Sequence, residues 1–498
     1  MAFLDTTIVN IAFPSIVRTF GGNARLSTVS WVINGYNVVI AALLVPAGRA
    51  ADRVGRRGSF VAGVAIFTVA SAAAAGAQSA GVLIALRFIQ AIGAAIMVPT
   101  SLALLLPRFG ERSRVGAVTL WGAASALGAG IGPSLGGALV EAGSWRAVFL
   151  VNVPLGLFAA VAALRSMAEE REWGPLPDLL GAAVLTAAVG LLALGIVKSG
   201  EWHWTGAATL SCLVGSLALL AAVVRRSLRH PEPVVEPALL GGGTAAPGNV
   251  ATLLVSVALY ATILNNVLFL TGGWGISVLR AGLWISPAAL LTALVARPAG
   301  HLAERFGVRR VVIPGALAYA GGVLVLAHAA GGTPSFVARW LPGSAIAGIG
   351  MGLALPPLIG VVVAGSPPAR LATASGINAA VRQLGGVLGV ALTVSVLAGA
   401  GETGGGPKAL AAHRSAWYLA VDFALAAAVV AFGIRGRAGG VTVGVSEPGA
   451  GAERAPAGVP QGGRSGLGAG AAAGTMALAG LGVLVVRLAR RRRGAFRS

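Results

Sequence analysis

The chain has 498 residues, of which 56% are hydrophobic and 11% charged, and its mean hydropathy is +0.83. Soluble domains carry about a quarter charged residues, so this composition excludes an ordinary water-soluble globule, and a single cysteine, Cys212, excludes a disulfide framework or a cysteine-based metal site. The net charge of +21 points to nucleic acid only if the basic residues gather on one soluble face, which they do not.

A bilayer core of about 30 Å needs about 20 apolar residues of helix, because lipid offers an open backbone no partner. Residues 1–17 read as a span lacking its first turns and interrupted by Asp5; with no basic leader and no small-residue cleavage site, they do not read as a signal peptide. Full apolar runs follow at 29–48, 58–77, 80–106, 115–140, 146–164, 179–197 and 207–224. Six more lie at 250–271, 281–299, 311–330, 336–364, 371–399 and 415–434, which makes thirteen full runs and the partial first. Residues 438–466 are rich in Gly, Pro and Ala and read as a disordered tail. Residues 467–488 are weakly apolar and precede "RLARRRR"; a fifteenth span would place those arginines outside, so this end reads as a peripheral tail held by anionic lipid. With the amino terminus inside, the inner loops hold 18 Lys and Arg and the outer loops 8, which orients the chain with both termini cytoplasmic.

Two loops repeat. "GRAADRVGRR" follows the second span and "GHLAERFGVRR" follows the ninth full run. At an offset of 252, Gly48 meets Gly300, Asp52 meets Glu304, Arg53 meets Arg305, Gly55 meets Gly307 and Arg57 meets Arg309, with Arg56 beside the first set. Matched loops in two halves are a mark of repeat-built transporters. The offset exceeds six helices, and the surplus fits two extra spans between the halves. The chain thus divides into 1–165, a six-helix bundle; 166–230, two linking helices; 231–437, a second six-helix bundle; and 438–498, the tail.

"GAGIGPSLGG" (128–137) sits between apolar helical stretches with no strand before it, which argues against a phosphate cradle. Gly128, Gly132 and Gly136 recur every fourth residue and line one side of a helix, the small-residue stripe that lets membrane helices approach closely. Gly137 follows in the same glycine-rich helix, and Pro133 removes a backbone hydrogen bond and bends it.

Several of these stretches resemble the major facilitator superfamily. "GRAADRVGRR" is similar to the loop between its second and third helices, and "LDTTIVNIAFPSI" to the first-helix motif of its drug:proton antiporters. "RFIQAIGAAIMVP" resembles the fourth-helix motif, with Ala91 where glycine is usual, and "ALGAGIGPSLGGAL" the fifth-helix antiporter motif. "SWRAVFLVNVPLG" and "ASGINAAVRQLGG" resemble the fourteen-helix drug exporters in particular. The resemblance implies an all-α integral membrane fold, two six-helix bundles plus two central helices. It also implies a plasma-membrane exporter of drugs or other amphiphiles in exchange for protons, working by alternating access. Two other readings stay open: export of an endogenous metabolite or self-made antibiotic, and a non-transporting membrane protein that kept the fold.

Ionisable residues inside a membrane are costly and so mark function. Asp5 lies thirteen residues before Arg18, about 20 Å from the outer surface, and Arg87 lies about 12 Å deep, eight residues beyond Ser79. Both are expected to face one cavity, where a proton on Asp5 competes with its pairing to Arg87; Gln90 shares the face of Arg87 at i+3. Asn34, Asn37, Asn265, Asn266, Asn378, Arg382, Gln383 and Asp422 form a second polar set. They read either as cavity lining or as interhelical hydrogen bonds, with Arg382 and Asp422 an alternative structural bridge. Trp31, Trp145, Trp202, Trp204, Trp340 and Trp417 read as interface anchors. His203 and His301 lie in or beside loops with no metal-ligand constellation, and no nucleophile, base and orienting group share a motif. No "GxxxxGK[ST]" occurs, so the proton gradient rather than ATP is the expected energy source. No cofactor, metal or nucleic acid is expected; the expected partners of a monomer are a small-molecule substrate, protons and membrane lipid.

Overall fold

The computed structural model describes residues 1–20, 25–105, 114–169, 178–231, 233–234, 245–364, 371–398 and 406–434. The tail expected at 438–498, with its weakly apolar stretch at 467–488, lies outside these residues. Fourteen long helices account for most of what is described. They are α1 (Ala2–Phe20), α2 (Trp31–Val54, led in by Leu26–Val29), α3 (Arg56–Ala75), α4 (Ala80–Leu105), α5 (Arg114–Ala142), α6 (Asn152–Ser166, led in by Ala147–Leu150) and α7 (Leu179–Trp202). The rest are α8 (Ala207–Ser227), α9 (Ala245–Leu268), α10 (Val278–Phe306), α11 (Val308–Ala329), α12 (Leu341–Ala364), α13 (Leu371–Ala398) and α14 (Pro407–Ala431). Every apolar run read from the sequence lies on one of them. Twelve are apolar and long enough to cross a membrane; α1 and α5 complete the fourteen by length. One π-turn, Phe269–Gly273, finishes α9 and another, Phe336–Trp340, begins α12.

The packing repeats at the level of whole helices. In the first half α1 packs on α5, α2 and α3 on α4, and α3 on α6. In the second half the same pattern runs α9 on α13, α10 and α11 on α12, and α11 on α14. Two crossed pairs join the halves: α2 with α13, and α5 with α10. Lipid tails are as apolar as leucine, so close backbone approach rather than hydrophobic gain holds such helices together. At Gly93 of α4 an added Cβ would stand 2.6 Å from the Gly63 carbonyl of α3. At Gly350 of α12 it would meet the Gly315 carbonyl of α11 at 2.7 Å.

The repeated loops share a backbone. Gly55 (φ 131°) and Gly307 (φ 92°) each form the sole residue between two helices, in a left-handed region that favours glycine. Each donates its N–H to a carbonyl four residues back, Ala51 at 2.9 Å and Ala303 at 3.0 Å. The end of the bundle carrying these loops is called the basic end below.

The two linking helices lie against the seam. α7 packs on both α2 and α13, while α8 packs on α7 and is the least enclosed of the twelve apolar helices. Asp178 caps α7, accepting from the Gly181 N–H. At the far end α7 is tied to both halves. Glu201 accepts from Ser27 (2.5 Å), Arg25 (2.8 Å) and Lys198 (3.2 Å), and Ser199 shares a buried hydroxyl bond with Ser395 (2.8 Å).

Candidate functional site

Asp5 and Arg87 meet. α1 presents Asp5 in its first turn and α4 presents Arg87 two turns in; both are buried, and Arg87 Nη1 lies 2.6 Å from Asp5 Oδ2. The arginine reaches along the bundle, which closes the difference in depth that the sequence implies. Gln90 bridges the pair: its Oε1 accepts from Arg87 Nη1 (2.6 Å) and its Nε2 donates to Asp5 Oδ1 (3.0 Å). Asn152 of α6 donates to the same oxygen at 2.9 Å, and Ser71 of α3 accepts from both amides. Arg87 Nε donates to the Val32 carbonyl of α2 (3.0 Å), and the guanidinium lies 4.0 Å over the Tyr36 ring. A buried ion pair survives only when its remaining polar atoms are also met, and breaking one partner away is expensive. This arrangement ties α1 through Asp5 and Arg87 to α2, α3, α4 and α6. Asn152, Ser71 and Tyr36 are absent from the sequence reading. Asn152 carries the one available signal, an amide inside an apolar run.

The glycine helix α5 has two bare faces. A Cβ at Gly128 would meet Leu4, at Gly132 Thr7 and Ile8, and at Gly136 Ile8 and Ile11, so this stripe lies flush on α1 just past Asp5. Gly137 faces the other half instead: a Cβ there would lie 2.7 Å from Leu279 Cα and 2.8 Å from the Val278 carbonyl of α10. Gly282 of α10 returns the favour against the Pro133 carbonyl, Ser134 and Ser286 share a hydroxyl bond (2.5 Å), and Ser277 donates to Glu141 (3.2 Å). These contacts close the α5–α10 seam toward the end opposite the basic one.

The loop residues divide. Asp52 pairs with Arg56 at 2.7 Å, Arg57 reaches Glu169, and the Arg57 and Gly58 N–H groups donate to the Glu169 carboxylate. Arg53 is also engaged. Gly48 packs on Pro99 of α4, whereas its counterpart Gly300 borders open space. In the second loop Glu304 stands 3.7 Å from His301, Arg305 lies over Phe306 and Arg309 over Phe432.

Most of the second polar set bonds between helices. Asn378 donates to Asn249 (3.1 Å) and Thr252 (3.3 Å) of α9, Asn265 exchanges bonds with His413, and Asn266 accepts from Trp417 Nε1 (2.8 Å). At the α2–α13 seam Gln383 donates to Asn37 (3.4 Å) and accepts from Tyr260 (3.2 Å). Asn34 is buried beside this group with neither amide atom hydrogen-bonded. Arg382 and Asp422 are both half-buried, on α13 and α14. Three of the tryptophans are not anchors at an interface. Trp417, Trp340 and Trp145 are buried between helices, Trp417 edge-on to Phe269, because aromatic edges and faces fill the gaps left where helices diverge. Among the described residues no His, Cys, Asp and Glu cluster has metal-ligand geometry.

The chain matches the Major Facilitator Superfamily over residues 1–230, 179–390 and 248–460. It is 33% identical over 403 residues to the multidrug resistance protein Stp of Mycobacterium tuberculosis, covering 80% of this chain and 74% of that one. It is 34% identical over 449 residues to the cephamycin export protein CmcT of Amycolatopsis lactamdurans, covering 86% and 89%. To the tetracenomycin C resistance and export protein of Streptomyces glaucescens it is 31% identical over 400 residues, covering 79% and 72%. In fold it is similar to a bacterial homolog of the human lysosomal transporter Spinster, at 19% identity with a TM-score of 0.59. A POT family transporter in complex with 5-aminolevulinic acid gives 15% identity and a TM-score of 0.61, and each alignment covers 86% of this chain and 93% of the other.

Proposed function

Because the chain belongs to the Major Facilitator Superfamily of membrane transporters, we propose that it exports drug-like amphiphiles, antibiotics foremost, in exchange for protons. The observation that carries the coupling half is the buried Asp5–Arg87 pair. Ionised, Asp5 holds Arg87 against Val32 and Tyr36 of α2. A proton on Asp5 removes the attraction and leaves a cation in a site of low polarity, where opposite charges interact far more strongly than in water. Arg87 then relaxes, and α2 follows. The next residue of α2 after Tyr36, Asn37, meets Gln383 at the seam with α13. Loading or releasing a proton thus biases the contact between the halves, with the glycine faces of α5 letting α1 and α10 slide past it.

Cargo fits best beside that seam. Asn34 offers a full set of buried amide bonds, and a buried amide left unpaired costs about 1–3 kcal/mol; Asn37, Tyr260 and Gln383 stand near to complete a polar strip among apolar walls. The names of the relatives favour an antibiotic as cargo over another endogenous metabolite. In this reading the basic end faces the cytoplasm, the protein sits in the plasma membrane as a monomer, and the proton gradient supplies the energy without a cofactor.

Inside-out membrane vesicles carrying the chain test this. Under an imposed inside-acid gradient, a fluorescent cationic dye is expected to accumulate, to leak out when the gradient is collapsed, and not to accumulate with Asp5→Asn. Equal accumulation by Asp5→Asn would remove Asp5 from the coupling; accumulation indifferent to the gradient would remove the proton.

A further inference from the structure

At the basic end, the last turn of α8 and the chain beyond it form a shallow basin of about 380 Å³ lined by Ala222, Arg225, Arg226, Arg229, His230 and Pro231. Arg226 is committed within the protein: its Nε donates to both carboxylate oxygens of Asp178 at 2.8 Å, which locks the end of α8 to the cap of α7. Arg225 and Arg229 are exposed and one turn apart, and among the described residues neither pairs with a carboxylate. Two basic groups in the first loop at the same end are instead paired with carboxylates, Arg56 with Asp52 and Arg57 with Glu169.

The same helix carries a second feature pointing to the same ligand. Leu210, Val214, Leu217, Val224 and Leu228 are 47–68% exposed, and their steps of four, three, seven and four put them in one stripe. Arg225 lies about 80° around the helix from Leu217, on the flank of that stripe. A cationic rim at the end of an apolar ridge matches an anionic head on an acyl chain, and the attraction of basic groups to anionic headgroups is worth a measurable amount per residue. A free anion would use the rim and ignore the ridge.

We propose that this basin binds the phosphate of an anionic phospholipid whose acyl chains lie along the exposed stripe of α8. The site lies on the linking helices, away from Asp5, and depends only on the chain residing in a bilayer. Because α7 touches both halves through Glu201 and Ser199, a lipid held there anchors the pair that bridges them.

The test uses the full chain, purified in detergent and stripped of lipid, with bound molecules counted by native mass spectrometry. Dioleoyl-phosphatidylglycerol is titrated against dioleoyl-phosphatidylcholine and inorganic phosphate. One tightly held phosphatidylglycerol is expected, and Arg225→Gln with Arg229→Gln should weaken it about thirtyfold, at about fivefold per arginine. Arg225→Lys with Arg229→Lys should retain most of the binding, and Arg165→Gln with Arg310→Gln, of equal charge loss at the same end, should leave it unchanged. Parent-like binding by the glutamine pair, equal binding of phosphatidylcholine, or displacement by inorganic phosphate at concentrations comparable to the lipid would each overturn the proposal.

Discussion

Adding one methyl group at Gly137 should open the α5–α10 seam at the end opposite the basic one. The new Cβ would lie 2.7 Å from Leu279 Cα and 2.8 Å from the Val278 carbonyl, where carbon contacts normally settle at about 3.5–4.0 Å. Neither neighbour is the tip of a flexible side chain, so the helices themselves must part by about 1 Å. Overpacking of this kind costs about 1–3 kcal/mol, and at tenfold per 1.4 kcal/mol the opened arrangement gains about 5- to 150-fold in population. The reporter is Ser286→Cys in a Cys212→Ser background, since Ser286 is 8% exposed and faces Ser134 across the seam. A membrane-impermeant maleimide should label Gly137→Ala faster than its parent within that range. Gly360→Ala, whose Cβ meets nothing within 4 Å, should label at the parental rate. Parental labelling in Gly137→Ala would show that backbone approach at this glycine does not hold the seam shut.

Arg87→Gln strands Asp5 as a lone buried charge and should lower stability by about 3–5 kcal/mol, read by thermal unfolding in detergent; Asp5→Asn together with Arg87→Gln should recover more than half, and strictly additive losses would refute the pairing energetics. Gly55→Ala and Gly307→Ala each place a side chain in a backbone region costing about 1–3 kcal/mol, whereas Gly300→Ala, in a helix with open space, should cost nothing; equal effects at all three would sink the conformational account. Burial works against the charge of Glu201, but hydrogen bonds from Ser27 and Lys198, with Arg25, outweigh it and hold its carboxyl below the usual range. Its stabilising effect is therefore fully present above about pH 4.3, the unfolded value, and fades as the pH falls through the lower folded value. Melting temperatures from pH 3 to 7 should show the parent's advantage over Glu201→Gln shrinking only in that acid window.

The helices were legible because the bilayer imposes a length and a composition on each, and every apolar run coincides with a helix to within a few residues at most ends. The larger misses are at the start of α14, where Pro407 opens a polar stretch that a hydropathy reading leaves outside, and at the ends of α2 and α10, where the helix continues through the charged motif to Val54 and Phe306. The loops were legible as a repeat because glycine at positive φ and a neighbouring basic pair leave a mark in the sequence. Asp5 and Arg87 stood out as charges among apolar neighbours. Ser71 did not, since one hydroxyl in an alanine-rich helix carries no signal until its partner is known. The tryptophans misled for the same reason in reverse: a position near a span end fixes height in the membrane but not azimuth, and Trp145, Trp340 and Trp417 turn inward. Sequence spacing tells which residues share a face of one helix; which helix that face meets depends on the whole bundle.

Among the described residues, the hydrogen bonds to the Asp5 carboxylate come from α4 and α6, and those that hold the Arg87 guanidinium come from α1, α2 and α4, so the ion pair is complete before residue 166. The consequence is modularity. The second half is free to diverge at Asn378, Arg382 or His413 without disturbing a single bond of the charge site, and an exchange of halves between related chains would carry that ion pair over intact. What such a hybrid must still match are the surfaces of α2 and α5 where the other half docks, with the smaller contacts of α1 and the ties of α7 to α13.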